Sequence, residues 1–111
     1  GIQGTDAADV LFGTNGSDVL AGLGGNDQIK ARGGADRACG GDGKDTIDGG
    51  GGADQLDGGA GNDKLYGGPG NDKLRARDGK RDVVDCGKGR DVAIVDRKDV
   101  VKRSCEKVRR R

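Results

Sequence analysis

Residues 40–75 read GGDGKDTID, GGGGADQLD, GGAGNDKLY and GGPGNDKLR, which are four copies of one nine-residue unit without a linker. In each copy the first, second and fourth residues are Gly, the sixth is Asp and the eighth is aliphatic. The spacing continues towards the N-terminus, so that eight units run from Gly4 to Arg75. Two unbroken series result: the aliphatic residues Leu11, Leu20, Ile29, Ala38, Ile47, Leu56, Leu65 and Leu74, and the acids Asp9, Asp18, Asp27, Asp36, Asp45, Asp54, Asp63 and Asp72. Repetition at a fixed short period is typical of a solenoid.

The composition leaves little material for a hydrophobic core. The 111 residues contain 25 Gly, one Phe, one Tyr and no Trp, Met or His. With one aliphatic residue in nine, the apolar side chains alone cannot offset the entropy that a Gly-rich chain loses on ordering. A flexible linker is the alternative for such a composition, but a linker does not keep an aliphatic residue in register over eight units. We therefore expect one folded domain that is held together by something besides its core.

Charge is distributed unevenly along the chain, although the net charge is only +1. Residues 1–72 carry 5 Lys and Arg against 12 Asp, whereas residues 73–111 carry 15 Lys and Arg against 7 acidic residues. We expect an acidic repeat region at residues 1–75 and a C-terminal capping segment with a basic tail at residues 76–111. No apolar run has the length of a membrane span, so membrane insertion is not expected.

The unit combines turn chemistry with strand chemistry. Its Gly-rich part suits a turn with positive φ, and its last three residues suit a short strand whose middle side chain points inward. Two units then make one coil, with one strand in each of two parallel sheets, and the coils stack through backbone hydrogen bonds. The predicted fold is all-β, a right-handed parallel β-roll of nonapeptide repeats with a C-terminal β cap. One sheet should be lined by Leu11, Ile29, Ile47 and Leu65, and the other by Leu20, Ala38, Leu56 and Leu74.

The same stacking divides the acids between two edges of the roll, with Asp9, Asp27, Asp45 and Asp63 on one and Asp18, Asp36, Asp54 and Asp72 on the other. Successive carboxylates then lie about 4.8 Å apart, which is one strand spacing, and they repel one another unless a cation neutralises them. Since Gly turns leave backbone carbonyls bare, the edges offer oxygen ligands alone, which suits Ca²⁺. The absence of His makes zinc and copper poor candidates, and magnesium prefers to keep its waters.

The repeat Gly-Gly-x-Gly-x-Asp-x-aliphatic-x resembles the RTX family, whose hemolysin-type calcium-binding repeats form a parallel β-roll. Units 40–48, 49–57, 58–66 and 67–75 match fully, and the units at 13–21 and 22–30 lack one or two glycines. The resemblance implies that each Ca²⁺ is held between two turns of one edge by the Asp of each turn and by carbonyls of the Gly-rich residues. Four acids per edge leave three gaps, so at most about six ions would bind in the main array. The implied ligands are the carboxylates of the eight acids named above and the carbonyls of Gly22, Gly40, Gly41, Gly43, Gly49, Gly50, Gly52, Gly58, Gly59, Gly61, Gly67, Gly68 and Gly70.

Two units depart from the pattern, and the sites that involve Asp9 and Asp36 are therefore expected to be the weakest. The unit at 4–12 keeps only its first Gly, and the unit at 31–39 has Ala31 and Arg32 where the paired glycines should be. One hypothesis is that Arg32 places its guanidinium near the carboxylates and partly replaces a cation.

The outward strand positions are apolar at the N-terminal end, where Val10, Phe12 and Val19 occur. These side chains are either simply exposed to solvent or covered. The cover would be the first few residues, another domain or a second copy of the chain.

Beyond Arg75 the period slips by one residue, and the β-branched residues at 76–102 predict further strands that close the open end of the roll. The segment DCGKGRDVAIVDRKDVVKRSCEKV at residues 85–108 resembles the C-terminal end of secreted actinobacterial members of the family, which implies a disulfide between Cys86 and Cys105. Such a bridge would stabilise the fold by roughly 3 kcal/mol. Cys39 remains as a free surface thiol or a link between chains.

The chain ends in a basic run, Lys102, Arg103, Lys107 and Arg109 to Arg111. It is either a solvated tail or a surface for anionic polymers such as those of a cell wall. Since no aromatic residues are interleaved with these charges, specific nucleic-acid binding is not expected.

The sequence favours a secreted, calcium-binding structural or display module whose folding is coupled to Ca²⁺. Adhesion to anionic cell-surface polymers through the basic end is the alternative. Catalysis is not expected, because every acid of the array is explained by the repeat, His is absent and the only Ser residues are Ser17 and Ser104.

Overall fold

The computed structural model describes residues 2–76, 82–95, 99–101, 105 and 107–110. Every regular element within these ranges is a short β-strand. The strands are β1 (Ile2–Gln3), β2 (Val10–Phe12), β3 (Val19–Ala21), β4 (Gln28–Lys30), β5 (Arg37–Cys39), β6 (Thr46–Asp48), β7 (Gln55–Asp57), β8 (Lys64–Tyr66), β9 (Lys73–Arg75), β10 (Val83–Asp85), β11 (Val92–Val95), β12 (Val100–Val101) and β13 (Lys107–Arg110).

The strands alternate between two parallel sheets along the chain. The odd-numbered strands form a seven-stranded sheet in the order β1-β3-β5-β7-β9-β11-β13, and the even-numbered strands form a six-stranded sheet in the order β12-β10-β8-β6-β4-β2. Leu11 lies opposite Ile29, and Leu20 lies opposite Ala38, so that each strand pairs with the strand two units away. Two nonapeptides therefore make one coil, which confirms the predicted parallel β-roll.

The three-residue strands of the eight units each bury one side chain, that of the middle residue. In β4, β5 and β8 the middle residue is buried and both flanking residues are exposed. The middle residues form the two predicted columns, which continue beyond the eight units in Val84 and Ala93. This core is a stack of single aliphatic side chains between two sheets. The stability of the fold therefore also depends on how the turns stack.

The turns stack backbone on backbone. Gly50 and Gly68 have φ values of 72° and 76°, and a Cβ on Gly68 would lie 2.6 Å from the carbonyl oxygen of Gly50 in the preceding coil. A side chain is excluded there by conformation and by space. In two of the four units whose second residue is not Gly, that residue still adopts the same left-handed conformation: Leu23 has a φ of 72° and Arg32 a φ of 69°, whereas Thr5 and Thr14 do not have a positive φ.

The chain beyond Arg75 continues both sheets, as predicted. Strand β10 pairs with β8, and β11 pairs with β9. The structure places Lys107–Arg110 of the basic run in β13, which pairs with β11. The backbone of this part therefore forms an edge strand of the seven-stranded sheet, and the two alternatives for the run, a solvated tail or a surface for anionic polymers, stay predictions. Lys102, Arg103 and Arg111 of the predicted run lie outside the described residues.

One disulfide joins Cys86 to Cys105, with 5.0 Å between the Cα atoms, which confirms the expected pair. Cys86 is fully buried in the core, and the partly buried Cys105 packs against it. Cys39 is a free, exposed thiol. Within the described ranges no helix has the length and hydrophobicity to cross a membrane.

Candidate metal centres

The acids form two ladders, one along each edge of the roll. The first edge consists of turns 4–9, 22–27, 40–45 and 58–63, and the second of turns 13–18, 31–36, 49–54 and 67–72. On the first edge, the N–H of Asp27 donates to Oδ1 of Asp45 over 2.8 Å. On the second edge, the N–H of Asp36 donates to Oδ1 of Asp54 over 2.9 Å. Each carboxylate therefore uses one oxygen to bind the backbone of the preceding coil.

The second carboxylate oxygen has no such partner in the central turns. Buried Oδ2 atoms without a hydrogen bond belong to Asp27, Asp36, Asp45, Asp54 and Asp72, whose side chains are only 1–2% exposed. A buried ionised oxygen that lacks a donor costs several kcal/mol unless a cation or a proton compensates it. The ladders thus fit a bound cation.

Backbone carbonyls converge on the same oxygens. A Cβ on Gly40 would lie 2.6 Å from Oδ2 of Asp45 and 2.8 Å from the carbonyl oxygen of Gly58 in the next coil. On the other edge a Cβ on Gly49 would lie 2.8 Å from Oδ2 of Asp54 and 2.9 Å from the carbonyl oxygen of Gly67. The first Gly of a unit thus brings the free carboxylate oxygen close to a carbonyl of the next turn.

Burial governs the protonation of the ladders. It raises the pKa of Asp45, Asp54 and Asp72 to about 7, against the lowering effect of a backbone hydrogen bond to each carboxylate, and the neighbouring carboxylates raise the pKa further. Burial also raises the pKa of Asp36. Without a cation, these groups would take up protons near neutral pH.

The two N-terminal turns differ from the central turns. The N–H and Oγ1 of Thr5 donate to Oδ2 of Asp9 over 2.6 and 3.0 Å, and Thr14 makes the same two bonds to Asp18. Both carboxylates therefore have donors within their own turn. The sequence predicted the weakest sites at Asp9 and Asp36, because their units lack glycines. In the structure, Asp9 and Asp18 share the Thr donors, whereas Asp36 has a buried Oδ2 without a hydrogen bond, like the central acids.

The hypothesis that Arg32 replaces a cation is wrong. Its guanidinium lies over the ring of Phe12, 5.0 Å from the centroid, in a cation–π contact on the outer face. Phe12 nevertheless stays 48% exposed, and Val10 and Val19 are 56% and 58% exposed.

Three further acids continue the ladders and were missed in the sequence. The N–H of Asp63 donates to Asp82, that of Asp72 to Asp91 and that of Asp82 to Asp99, over 2.6 to 2.8 Å. Their sequence separations of 19, 19 and 17 residues hid them from a strict period. The recurring signal was Asp followed by two β-branched or small apolar residues, as in Asp82-Val83-Val84 and Asp91-Val92-Ala93.

The candidate metal ligands at both edges are all oxygen atoms, from carboxylates and backbone carbonyls. In the part of the chain that the structure describes, no three His, Cys, Asp or Glu side chains gather in one place. A cation between two turns would therefore depend on two carboxylates supplemented by backbone carbonyls, which is a hard-cation environment.

Comparison with known proteins agrees with this chemistry. The sequence model of the RTX calcium-binding nonapeptide repeat matches residues 3–38 and 40–80, in 4 copies. No curated protein and no solved structure matches the chain. Repeats of this kind bind Ca²⁺ and form a structural fold that is generally non-enzymatic. The chain belongs to the family of RTX calcium-binding nonapeptide repeats, as a calcium-binding structural repeat module.

Proposed function

We propose that this chain is an extracellular module whose folding is coupled to Ca²⁺ bound between successive turns of each edge. The observation that carries the proposal is the row of buried Oδ2 atoms without hydrogen bonds in the central turns. Four of the five oxygens, those of Asp27, Asp45, Asp54 and Asp72, lie beside a carbonyl of the next coil, as at Asp45 and Gly58. When bound, Ca²⁺ supplies the positive charge that both ladders lack.

Within the eight units that end at Arg75, four gaps are bounded on both sides by buried acids, and they are the strongest candidate sites there. They are 22–27/40–45 and 40–45/58–63 on the first edge, and 31–36/49–54 and 49–54/67–72 on the second. The implied ligands are the Asp carboxylates of both turns and the carbonyls of their Gly-rich residues. The gaps that contain Asp9 and Asp18 should bind more weakly, because Thr5 and Thr14 already donate to these carboxylates.

Extracellular conditions suit this arrangement. Calcium modules outside the cell work at about 10⁻⁴ to 10⁻³ M, and a disulfide such as Cys86–Cys105 persists in oxidising compartments. At low calcium the unneutralised ladders would keep the repeats open, and millimolar calcium would close them. The folded roll would then stabilise, space or display a partner domain, and the exposed residues of β2 and β3 at the N-terminal end are where we expect it to attach.

Calorimetric titration of EDTA-treated protein with CaCl₂ tests the proposal, with circular dichroism recorded at the same points. We expect at least four bound equivalents and a strand signal that rises with occupancy, while MgCl₂ at equal concentration leaves the signal low. Calcium binding to a roll whose strand content is already complete in EDTA would contradict the coupling. Absence of binding would contradict the function.

Adhesion to anionic polymers is a second candidate, which one surface feature favours. The outer face of the seven-stranded sheet carries a groove of about 300 Å³ with Arg37, Lys73 and Arg75 in its lining and Asp57 as the one acid. Replacing the three basic residues by Ala should abolish any salt-sensitive retention on cell-wall polymer, while calcium binding stays unchanged. Equal retention of this variant and the parent protein would refute adhesion through this face.

A further inference from the structure

The unit at 86–94, CGKGRDVAI, is a nonapeptide repeat in which Cys86 takes the place of the first Gly. It lies beyond residues 3–38 and 40–80, where the family match ends. Its turn, 86–91, stacks on turn 67–72 and so extends the second edge by one gap. Among the described turns of this edge, turn 86–91 is the one that contains a disulfide-bonded cysteine, Cys86.

This gap repeats the geometry of its neighbour, 49–54/67–72. A Cβ on Gly87 would lie 2.6 Å from the carbonyl oxygen of Gly68, and a Cβ on Gly68 lies equally close to that of Gly50. The N–H of Asp72 donates to Oδ1 of Asp91 over 2.7 Å, as the N–H of Asp54 does to Asp72 over 2.8 Å. The turn at 86–91 is therefore built like a central turn.

Two oxygen atoms converge at the start of this gap. A Cβ on Gly67 would lie 2.8 Å from Oδ2 of Asp72 and 2.5 Å from the carbonyl oxygen of Cys86. The Asp72 side chain is 2% exposed, and its Oδ2 accepts no hydrogen bond. The carbonyl of Cys86 thus stands where the carbonyl of Gly67 stands in the neighbouring gap.

We propose that the gap 67–72/86–91 is a further Ca²⁺ site, and that the Cys86–Cys105 disulfide controls its affinity. The ligands would include the carboxylates of Asp72 and Asp91 and the Cys86 carbonyl; the inference rests on the proposed function. Cys86 is held twice, by the core around its side chain and by its bond to Cys105. Cys105 precedes β13, which pairs with β11 of the same unit, so the bridge fixes the turn against its own sheet.

The coupling works in both directions. With the disulfide closed, the carbonyl ligand of Cys86 is already in place, so that ordering the turn costs less free energy when the ion binds. By linkage, a bound ion stabilises the oxidised form by the same factor. A dithiol reduces the bridge by donating two electrons and two protons: the S–S bond breaks, Cys86 and Cys105 become thiols, and the dithiol becomes a cyclic disulfide. Extracellular calcium and redox state would therefore act on one turn.

The first experiment compares calcium titrations of oxidised and dithiothreitol-reduced protein in a Cys39→Ser background, which leaves only the two bridging cysteines. Reduction should weaken one equivalent at least tenfold and leave the others unchanged. Asp91→Asn keeps the Oδ1 acceptor for Asp72 but removes the charge, so oxidised and reduced forms of that variant should titrate alike. Cys86→Gly keeps the carbonyl without the bridge and should behave like the reduced protein.

The second experiment measures the thiol–disulfide equilibrium constant of the bridge in a dithiothreitol redox buffer with Ca²⁺, with Mg²⁺ and with EDTA. Calcium should shift this constant towards the disulfide at least tenfold relative to magnesium, and Asp91→Asn should remove this shift. Equal titration curves before and after reduction would overturn the inference while leaving the calcium module intact. Loss of all equivalents together on reduction would also overturn it, because the bridge would then act on the whole fold and not on one site.

Discussion

Turns 13–18 and 49–54 lie on the same edge of the roll, but the equivalent carboxylates of Asp18 and Asp54 have different surroundings. In turn 13–18, Thr14 donates its N–H and its hydroxyl to Oδ2 of Asp18. In turn 49–54 the equivalent residue is Gly50, at a φ of 72°, and Oδ2 of Asp54 is buried without a hydrogen bond. The second residue of the unit thus decides whether the carboxylate finds donors within its own turn or requires a cation.

Position along the roll explains why both solutions occur. Asp18 is partly exposed at the end of the stack, whereas Asp54 is 1% exposed between two coils. Water and a hydroxyl suffice for an exposed carboxylate, but a buried one needs stronger compensation. A Thr turn at the end can therefore stay ordered without metal and offer the first calcium-dependent turn a preformed surface.

The largest effect should come from removing the charge of a central acid. Asp54 borders two gaps, so Asp54→Asn should remove two sites, at about 2.7 kcal/mol each when calcium is 100 times its dissociation constant. Asp18→Asn borders one gap and should cost less than half as much. Urea unfolding in calcium measures both, and equal destabilisation by the two variants would refute the distinction between the turns.

The next effect is on pH dependence in EDTA. The folded pKa of Asp45, Asp54 and Asp72 is about 7, against 3.8 as the ordinary value. A raised folded pKa gives stability that is complete below about 4 and is lost as the pH rises through 7. The strand signal of the metal-free protein should therefore increase from pH 8 to pH 5. In Asp54→Asn the increase should be smaller, and a decrease in the parent protein would contradict the burial of these carboxylates.

A smaller effect is expected from a backbone position of turn 49–54. Gly50→Ala requires a left-handed residue, at about 1–2 kcal/mol, and its Cβ would run into the carbonyl oxygen of Arg32. Gly51→Ala is the matched control, because no atom lies within 4 Å of its Cβ. Thermal unfolding in calcium should separate the two variants. Similar melting temperatures would show that the turns do not stack as described.

The smallest effect should come from the Thr turns. Thr14→Val removes the hydroxyl donor to Asp18 and should cost about 1 kcal/mol. The calcium stoichiometry should not fall, since the hydroxyl acts in place of a cation. Thr46→Val, on the strand β6, serves as the control for loss of a hydroxyl. If Thr14→Val lowered the number of bound ions, the Thr turn would have to be counted among the calcium sites.

The repeat made most of the fold predictable because its period is local information. One aliphatic residue per unit gave the two core columns, and Gly at the second and fourth positions gave the turns. Asp82, Asp91 and Asp99 were not predicted, because an insertion or deletion of one residue breaks the strict nine-residue period. The stacked backbone still brings these acids into register with the ladders. The strand at Lys107–Arg110 was not predicted, because its basic composition resembles that of a tail.

By itself, the sequence determined the coil of two nonapeptides, the division of the acids between two edges and the oxygen-only chemistry, since all three follow from residue type and spacing. Tertiary structure decided which carboxylates are buried, because burial depends on the coils above and below each turn. It also brought the Cys86 carbonyl beside Asp72. These two residues are 14 positions apart in the chain, and the stacking of two turns brings them to the same side of Gly67.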